Sequence, residues 1–455
     1  MSEAPCTMTI DGRAVTAAAE LEVIDPATGR PFAACPDCSR EQLDEAVAAA
    51  ERALPAWRRD LDGRRAALVR CAEALEARAR ELAPLLVQEQ GKPLQRAVEE
   101  FYGAALWFRS TAALPLEDEV LKETPEQRVE LRRRPLGVVA GITPWNFPVL
   151  LAVWKIAPAL LAGNTFVLKP SPYTPLSSLK LGEVLRDVLP AGVFNVVSGG
   201  DALGAWLTEH PAVRKISFTG SVATGKRIAA AAAPDLKRVT LELGGNDPAI
   251  VLKDVNAKQI AEKLFWSAFN NTGQVCVAVK RLYVEEELYP ELVGELSEIA
   301  KRVKVGPGTR AESQLGPLNN RAQFERVAEL VDDARGGGAR IEAGGTPLSN
   351  EGYFYAPTIV TGVAEGTRLV DEEQFGPALP VMPFRSIDEV LERANGTHFG
   401  LGGSIWTTDV DRGASLAREL ECGTAWVNQH MNLAPDVPFG GLKWSGIGYE
   451  NGPWG

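Results

Sequence analysis

Between residues 137 and 242 short β-rich runs alternate with longer helical ones, and this rhythm constrains the fold more than any other feature of the chain. The strands are expected at 137–142, 165–169, 193–197, 215–218 and 239–242, with helical stretches near 149–161, 176–189, 202–209 and 221–233. Consecutive parallel strands need a crossover, so the pattern predicts a doubly wound parallel sheet. Ligands of such a sheet bind beyond the carboxyl ends of its strands. A second α/β unit is expected over 244–442, with strands near 248–252, 281–284, 359–360, 378–383, 404–407 and 425–428. At 455 residues the chain exceeds what one core usually serves, so two or more domains sharing a cleft are expected.

The opening third reads as helical, with Ala/Glu/Arg-rich segments at 40–57, 63–90 and 94–110. From 118 to 135 charged residues alternate with valine and leucine, the pattern of an exposed β-hairpin arm suited to subunit contact. A net charge of −11 and the lack of a Lys/Arg-rich run argue against nucleic acid as a partner. The most apolar stretch, 137–168, contains Asn146, Lys155, Pro144, Pro148 and Pro158, so it reads as buried core and not as a membrane span. With no basic n-region before an apolar run, a cytoplasmic protein is expected.

Six cysteines scattered over this length do not form a disulfide framework. Cys35-Pro36-Asp37-Cys38 has the spacing of half a metal or redox site, but no second pair or nearby histidine completes it. It reads as a strand end before a helix capped at Ser39. His210, His398 and His430 have no metal-ligand spacing, so no metal is expected. His430 is read as a surface or core residue, with a place at a substrate mouth as the alternative.

The usual G-x-G-x-x-G is missing after the first strand, where Gly141-Ile142-Thr143-Pro144-Trp145 stands instead. Phe218-Thr219-Gly220-Ser221-Val222-Ala223-Thr224-Gly225 places glycines where a strand meets a helix N-terminus, and free N–H groups there suit a pyrophosphate. In isolation a simple tight turn explains that segment equally well. Four further segments are specific: Pro144-Trp145-Asn146-Phe147-Pro148, Leu241-Glu242-Leu243-Gly244-Gly245, Asn271-Thr272-Gly273-Gln274-Val275-Cys276, and Glu372-Glu373-Gln374-Phe375-Gly376-Pro377. In this order, and with Pro438-Phe439-Gly440-Gly441 near the end, the chain resembles the aldehyde dehydrogenase superfamily over nearly its whole length. The spacing of Glu242 and Cys276 is that of the hydrolytic NAD(P)-dependent branch.

The resemblance implies a Rossmann-type cofactor domain (1–117 with 136–243), a second α/β catalytic domain (244–442), the hairpin as oligomerisation arm, and a segment, 443–455, lacking a last strand. A thiolate adds readily to an aldehyde carbonyl, so Cys276 is expected to be the nucleophile and to sit where its anion is favoured. The oxyanion formed needs fixed donors, for which the resemblance implies the Asn146 amide and the Cys276 backbone N–H. Glu242 is implied as the base that activates water against a thioester, with Lys155 and Glu450 relaying its proton. Members that pass the acyl group to coenzyme A generally lack that carboxylate, so hydrolysis is expected. A chain that kept the fold and lost catalysis is the other alternative, and the presence of Cys276, Glu242 and Asn146 argues against it.

For the cofactor, NAD with NADP also accepted, the resemblance implies Trp145, Lys169, Ser171, Pro172, Gly199, Gly220, Ser221, Gly225, Leu243, Gln323, Glu373 and Phe375. The substrate wall is expected at Leu151, Trp154, Val275 and Val277, all apolar, which suits uncharged aliphatic or aromatic aldehydes. A homodimer or homotetramer is implied. The chain departs from the family at Tyr449, where arginine is common, at Pro172, often glutamate, and in stopping at Gly455.

Overall fold

In a computed structural model that describes residues 6–455, the alternating segment forms the expected parallel sheet. Its parallel strands run in the spatial order Arg238–Glu242, Val213–Thr219, Val138–Ile142, Thr165–Lys169, Phe194–Val196. Val138–Ile142 and Thr165–Lys169 are buried at every residue, as strands with helices on both faces must be. The helices Pro148–Leu161, Leu176–Arg186, Asp201–Glu209 and Val222–Ala232 connect them.

Both edges of this sheet are closed by antiparallel strands that the rhythm of the sequence does not show. At one edge Met8–Ile10 pairs with Phe194–Val196 and turns back into Arg13–Val15. At the other, Gly446–Ile447 pairs with Arg238–Glu242, so the end of the chain returns to the first sheet. A separate hairpin of Ala19–Asp25 and Arg30–Asp37 follows the first edge. The reading of the opening third as helical therefore holds for Arg40–Trp57, Leu61–Gln90 and Leu94–Ala112 but misses four strands before them. Strands of three residues carry no usable period, and in Ala19–Asp25 only Val23 is buried. Cys35 and Cys38 lie buried at the end of that hairpin, and Ser39 caps the next helix in a reciprocal capping box with Gln42.

The second sheet runs Arg340–Ala343, Thr358–Thr361, Ala378–Phe384, Val279–Glu285, Asp247–Val251, Gly402–Trp406, Thr424–Val427. It is parallel except at Arg340–Ala343, an edge strand absent from the sequence reading. Glu119–Thr124 and Gln127–Leu131 form a two-stranded sheet of their own, with Val120, Leu121, Val129 and Leu131 exposed. Among the described residues no helix is long and apolar enough to cross a membrane, and no cluster of three or more potential metal ligands occurs.

Candidate active site

The loop that carries Cys276 is locally strained and held on several sides. After the helix Ala257–Phe269 the backbone turns left-handed at Asn271, Thr272 and Gly273, with φ of 50°, 60° and 72°. Two of these are not glycine, a conformation that persists only when surroundings impose it. Here the Thr272 hydroxyl donates to Gly316 O at 3.0 Å, the Gln274 amide donates to Asn271 O at 2.9 Å, and Asn319 N donates to Gln274 Oε1 at 2.8 Å. At Gly273 a Cβ would stand 2.2 Å from Gly376 O, so this loop and the one carrying Phe375 meet only because that residue is glycine.

Asn146 sits beside this loop, 3% exposed, with its Nδ2 donating to Gln274 O at 3.0 Å. One amide hydrogen fixes the side chain and leaves the second for another acceptor. Its backbone oxygen is held in turn by Lys92 Nζ (2.9 Å) and Asn271 Nδ2 (3.1 Å). Lys92 pairs with Glu100 in the interior, and Glu100 accepts from the Val149 and Leu150 N–H groups that open the helix Pro148–Leu161. This buried pair fixes the oxyanion candidate from below. Sequence reading missed it, although a lysine and a glutamate eight residues apart around a helix start were visible.

Glu242 ends the strand Arg238–Glu242, 3% exposed, and neither carboxylate oxygen has a hydrogen-bond partner. Burial, and then the charge of Glu450, push its pKa well above the usual carboxylate range, while Lys155 opposes them. Lys155 pairs with Glu450 and donates to Thr219 Oγ1 at 2.7 Å, and Ser217 Oγ donates to Glu450 at 3.1 Å. The second Glu450 oxygen is buried without a partner. Behind the pair lies a hollow of about 250 Å³ that Lys215 and Tyr449 also line. The structure thus brings Lys155 and Glu450 together and sets both to act on Glu242.

A cleft of about 710 Å³ opens between the two sheets' loops, and its wall includes Trp145, Asn146, Gly220, Ser221, Leu243, Cys276, Gln323, Glu373 and Phe375. The Trp145 and Phe375 rings meet edge to face at 5.3 Å. Gln323 Nε2 donates to the carbonyls of Gln374 (2.7 Å) and Phe375 (3.1 Å), and Arg326 donates to Glu373 O at 3.0 Å, so both hold this wall. A Cβ at Gly244 would fall 2.0 Å from Glu373 Oε2, which explains the glycine where chain and carboxylate converge. At the turn into Val222–Ala232, Gly220 N–H is already given to Glu242 O at 3.0 Å, and Ser221 Oγ caps Thr224 N–H at 3.3 Å. The anion donors left there are the first helical N–H groups, Val222 and Ala223, which also line the cleft. Gly225 packs under Leu243.

Lys169 lies in a second hollow, of about 320 Å³, together with Asp201, Gly204, Thr224 and Arg227. Burial lowers its pKa to about 8, against the pull of Asp201. Cleft and hollow flank one helix start, and together they offer a dinucleotide a cradle of backbone donors, a cation and a carboxylate at Glu373. The residues present therefore fit such a cofactor.

Other expected members are placed elsewhere. Pro172 lines a different hollow with Tyr173 and Gly200, Ser171 Oγ accepts from Tyr173 N–H within its own turn, and Gly199 packs against Leu203 and Asp37. Of the expected substrate wall, Leu151, Trp154, Val275 and Val277 are all buried and none lines the 710 Å³ cleft. Trp154 faces the other way, stacked on Trp107 at 5.4 Å and lining the hollow behind Lys155. His430 is a core residue, with Nδ1 2.9 Å from Ser404 Oγ. His398 stacks on Trp444 at the cleft rim.

The expectation that Cys276 sits where its anion is favoured is not met. Dense protein around the thiol pushes it up to about 12, and Glu373, Asp247 and Glu242 add to the effect. Lys280 alone among the acting charges opposes it. Its Nζ donates to Val275 O (2.9 Å) and Cys276 O (2.6 Å) and pairs with Glu373 at 3.3 Å. Sequence reading passed over Lys280, although a lone lysine in Val275-Cys276-Val277-Ala278-Val279-Lys280 was a signal.

The chain is similar to known proteins over nearly its whole length. The model of the aldehyde dehydrogenase family matches residues 14–455. The chain is 41% identical to a phenylacetaldehyde dehydrogenase of Pseudomonas fluorescens, covering 98% of this chain and 93% of that one. It is 39% identical to retinaldehyde dehydrogenase 3 of Homo sapiens, with 94% and 88% covered. The NAD+ complex of an aldehyde dehydrogenase from Bacillus cereus superposes with a TM-score of 0.97 at 35% identity, covering 99% of this chain and 94% of that one. An NADP-dependent enzyme of E. coli gives 0.96 at 36% identity, with 99% and 95% covered. The chain belongs to the aldehyde dehydrogenase family and is an NAD(P)-dependent enzyme that oxidises aldehydes.

Proposed function

We propose that the chain oxidises an uncharged aliphatic or aromatic aldehyde to its carboxylic acid through a covalent adduct on Cys276. The observation that carries this reading is the convergence of Cys276, Asn146, Leu243 and Glu373 on one cleft, next to a buried carboxylate, Glu242, that has no partner. The Cys276 sulfur adds to the aldehyde carbon, and the carbonyl oxygen becomes an oxyanion that the second Asn146 amide hydrogen and the Cys276 N–H receive. A nicotinamide held in the cleft would supply the hydride acceptor; the adduct carbon gives up its hydrogen with the electron pair, the C=O bond re-forms and a thioester remains on the sulfur. Glu242 takes a proton from water, the hydroxide adds to the thioester carbon, and the C–S bond breaks to release the acid and return the Cys276 thiolate. Lys155 and Glu450 carry the proton from Glu242 toward the hollow behind them.

Two kinds of support bear on the substrate. The most similar relatives include enzymes named for phenylacetaldehyde and retinaldehyde, both uncharged, and no arginine flanks Cys276 to receive a second carboxylate. In a panel of phenylacetaldehyde, straight-chain aldehydes, betaine aldehyde and succinic semialdehyde, kcat/KM for a neutral aldehyde should exceed that for either charged one by at least about tenfold, roughly 1.4 kcal/mol. Succinic semialdehyde ranking first would overturn the reading.

The assembly reading rests on the hairpin of Glu119–Thr124 and Gln127–Leu131. An isolated two-stranded sheet that exposes Val120, Leu121, Val129 and Leu131 is marginal in water and is stabilised by burial against another subunit. Light scattering should give a dimer or tetramer, and Leu121→Asp with Val129→Asp should shift the mass toward the monomer. A monomeric wild type at micromolar concentration removes the hairpin from that role.

A further inference from the structure

Lys280 is the second residue of the strand Val279–Glu285, with its side chain 3% exposed. Its three N–H donors are all engaged, by Val275 O (2.9 Å), Cys276 O (2.6 Å) and Glu373 Oε1 (3.3 Å). The same Glu373 oxygen accepts from Gly245 N–H at 3.1 Å, and the Phe375 ring centre lies 5.9 Å from the ammonium. Holding two carbonyls needs only a neutral donor, whereas an interior ammonium carries a desolvation cost of several kcal/mol. The cost points to a use for the charge itself. Burial opposes ionisation of the neighbouring sulfur most, and among the charges acting on it Lys280 favours the ionised form while Glu373, Asp247 and Glu242 oppose it.

We propose that Lys280 is the positioning residue that activates the Cys276 thiol, and that its pairing with Glu373 sets how much of its charge the sulfur feels. The inference rests on the reading of Cys276 as nucleophile. Glu373 lines the dinucleotide cleft. A ligand hydroxyl that draws this carboxylate away leaves the ammonium uncompensated beside the sulfur, so occupancy of the cleft and reactivity of the thiol become linked. No new covalent step is involved; the thiol proton leaves to solvent as the thiolate forms.

The test is alkylation of Cys276 by iodoacetamide in the full chain without aldehyde, read by mass spectrometry of the peptide across a range of pH. Lys280→Met should move the midpoint of the profile upward and slow alkylation at neutral pH about tenfold, since only the thiolate reacts. Lys280→Arg, which keeps the cation, should stay within about threefold of wild type. Glu373→Gln, which removes an opposing carboxylate, should speed alkylation by about threefold or more. A Lys280→Met profile that superimposes on wild type overturns the activation, and a Glu373→Gln variant that is no faster than wild type overturns the coupling. Circular dichroism and thermal melting check that the variants fold, and if Lys280→Met does not, the arginine and glutamine variants decide. Alkylation does not depend on the reaction, so its response is separable from failure of the proposed mechanism, which the Cys276→Ala variant reads.

Discussion

Cys276→Ala should lower aldehyde-dependent NADH formation by about 10⁴-fold or more while leaving cofactor affinity within a few-fold of wild type. In the proposed mechanism the sulfur takes part in every covalent step and in none of the contacts proposed for a dinucleotide, which would come from Trp145, Ser221, Leu243, Glu373 and Phe375 in the cleft wall and Lys169 in the adjoining hollow. The change is also gentle on the fold, because the loop is held by Thr272, Gln274 and Asn319 and not by the thiol. Steady-state assays with one good aldehyde, beside fluorescence titration with NAD, separate the two quantities. Undiminished oxidation by this variant would end the proposed mechanism.

Glu242→Gln should slow steady-state turnover by roughly 10²–10⁴-fold and make thioester hydrolysis the slow step. One equivalent of NADH per site should then form in a rapid burst, and mass spectrometry should find the acyl group on Cys276. The substitution keeps shape in a place where the native carboxylate has no hydrogen-bond partner, so stability should change little. The pH dependence has a definite sign. Burial and Glu450 raise the Glu242 pKa, so the carboxyl gives up its proton and becomes a base only at a higher pH than an ordinary carboxyl would. Hydrolysis by wild type should therefore rise with pH as that proton is lost, and the glutamine variant should lack this rising limb. Normal steady-state turnover in Glu242→Gln would remove the residue from the role of base.

The sequence by itself determined the parallel core of the first sheet and the family, and it named Asn146, Glu242, Cys276, Glu373 and Phe375 as candidate site residues. These are local facts: a strand-helix rhythm repeats every few tens of residues, and each motif is a contiguous segment whose residue types suit one chemistry. The tertiary structure alone decided what depends on distant segments meeting. The edge strands Met8–Ile10 and Gly446–Ile447 are too short to carry a period and exist because a sheet edge was there to pair with. Leu151 and Trp154 are as apolar as a substrate wall requires, yet Trp154 turns to Trp107 and the core, because helix rotation follows from packing and not from hydrophobicity alone. Burial, too, is a property of the whole fold, and it explains why the thiol expected to be anionic is pushed upward, with a lysine four residues away and a glutamate from a distant loop left to set its charge.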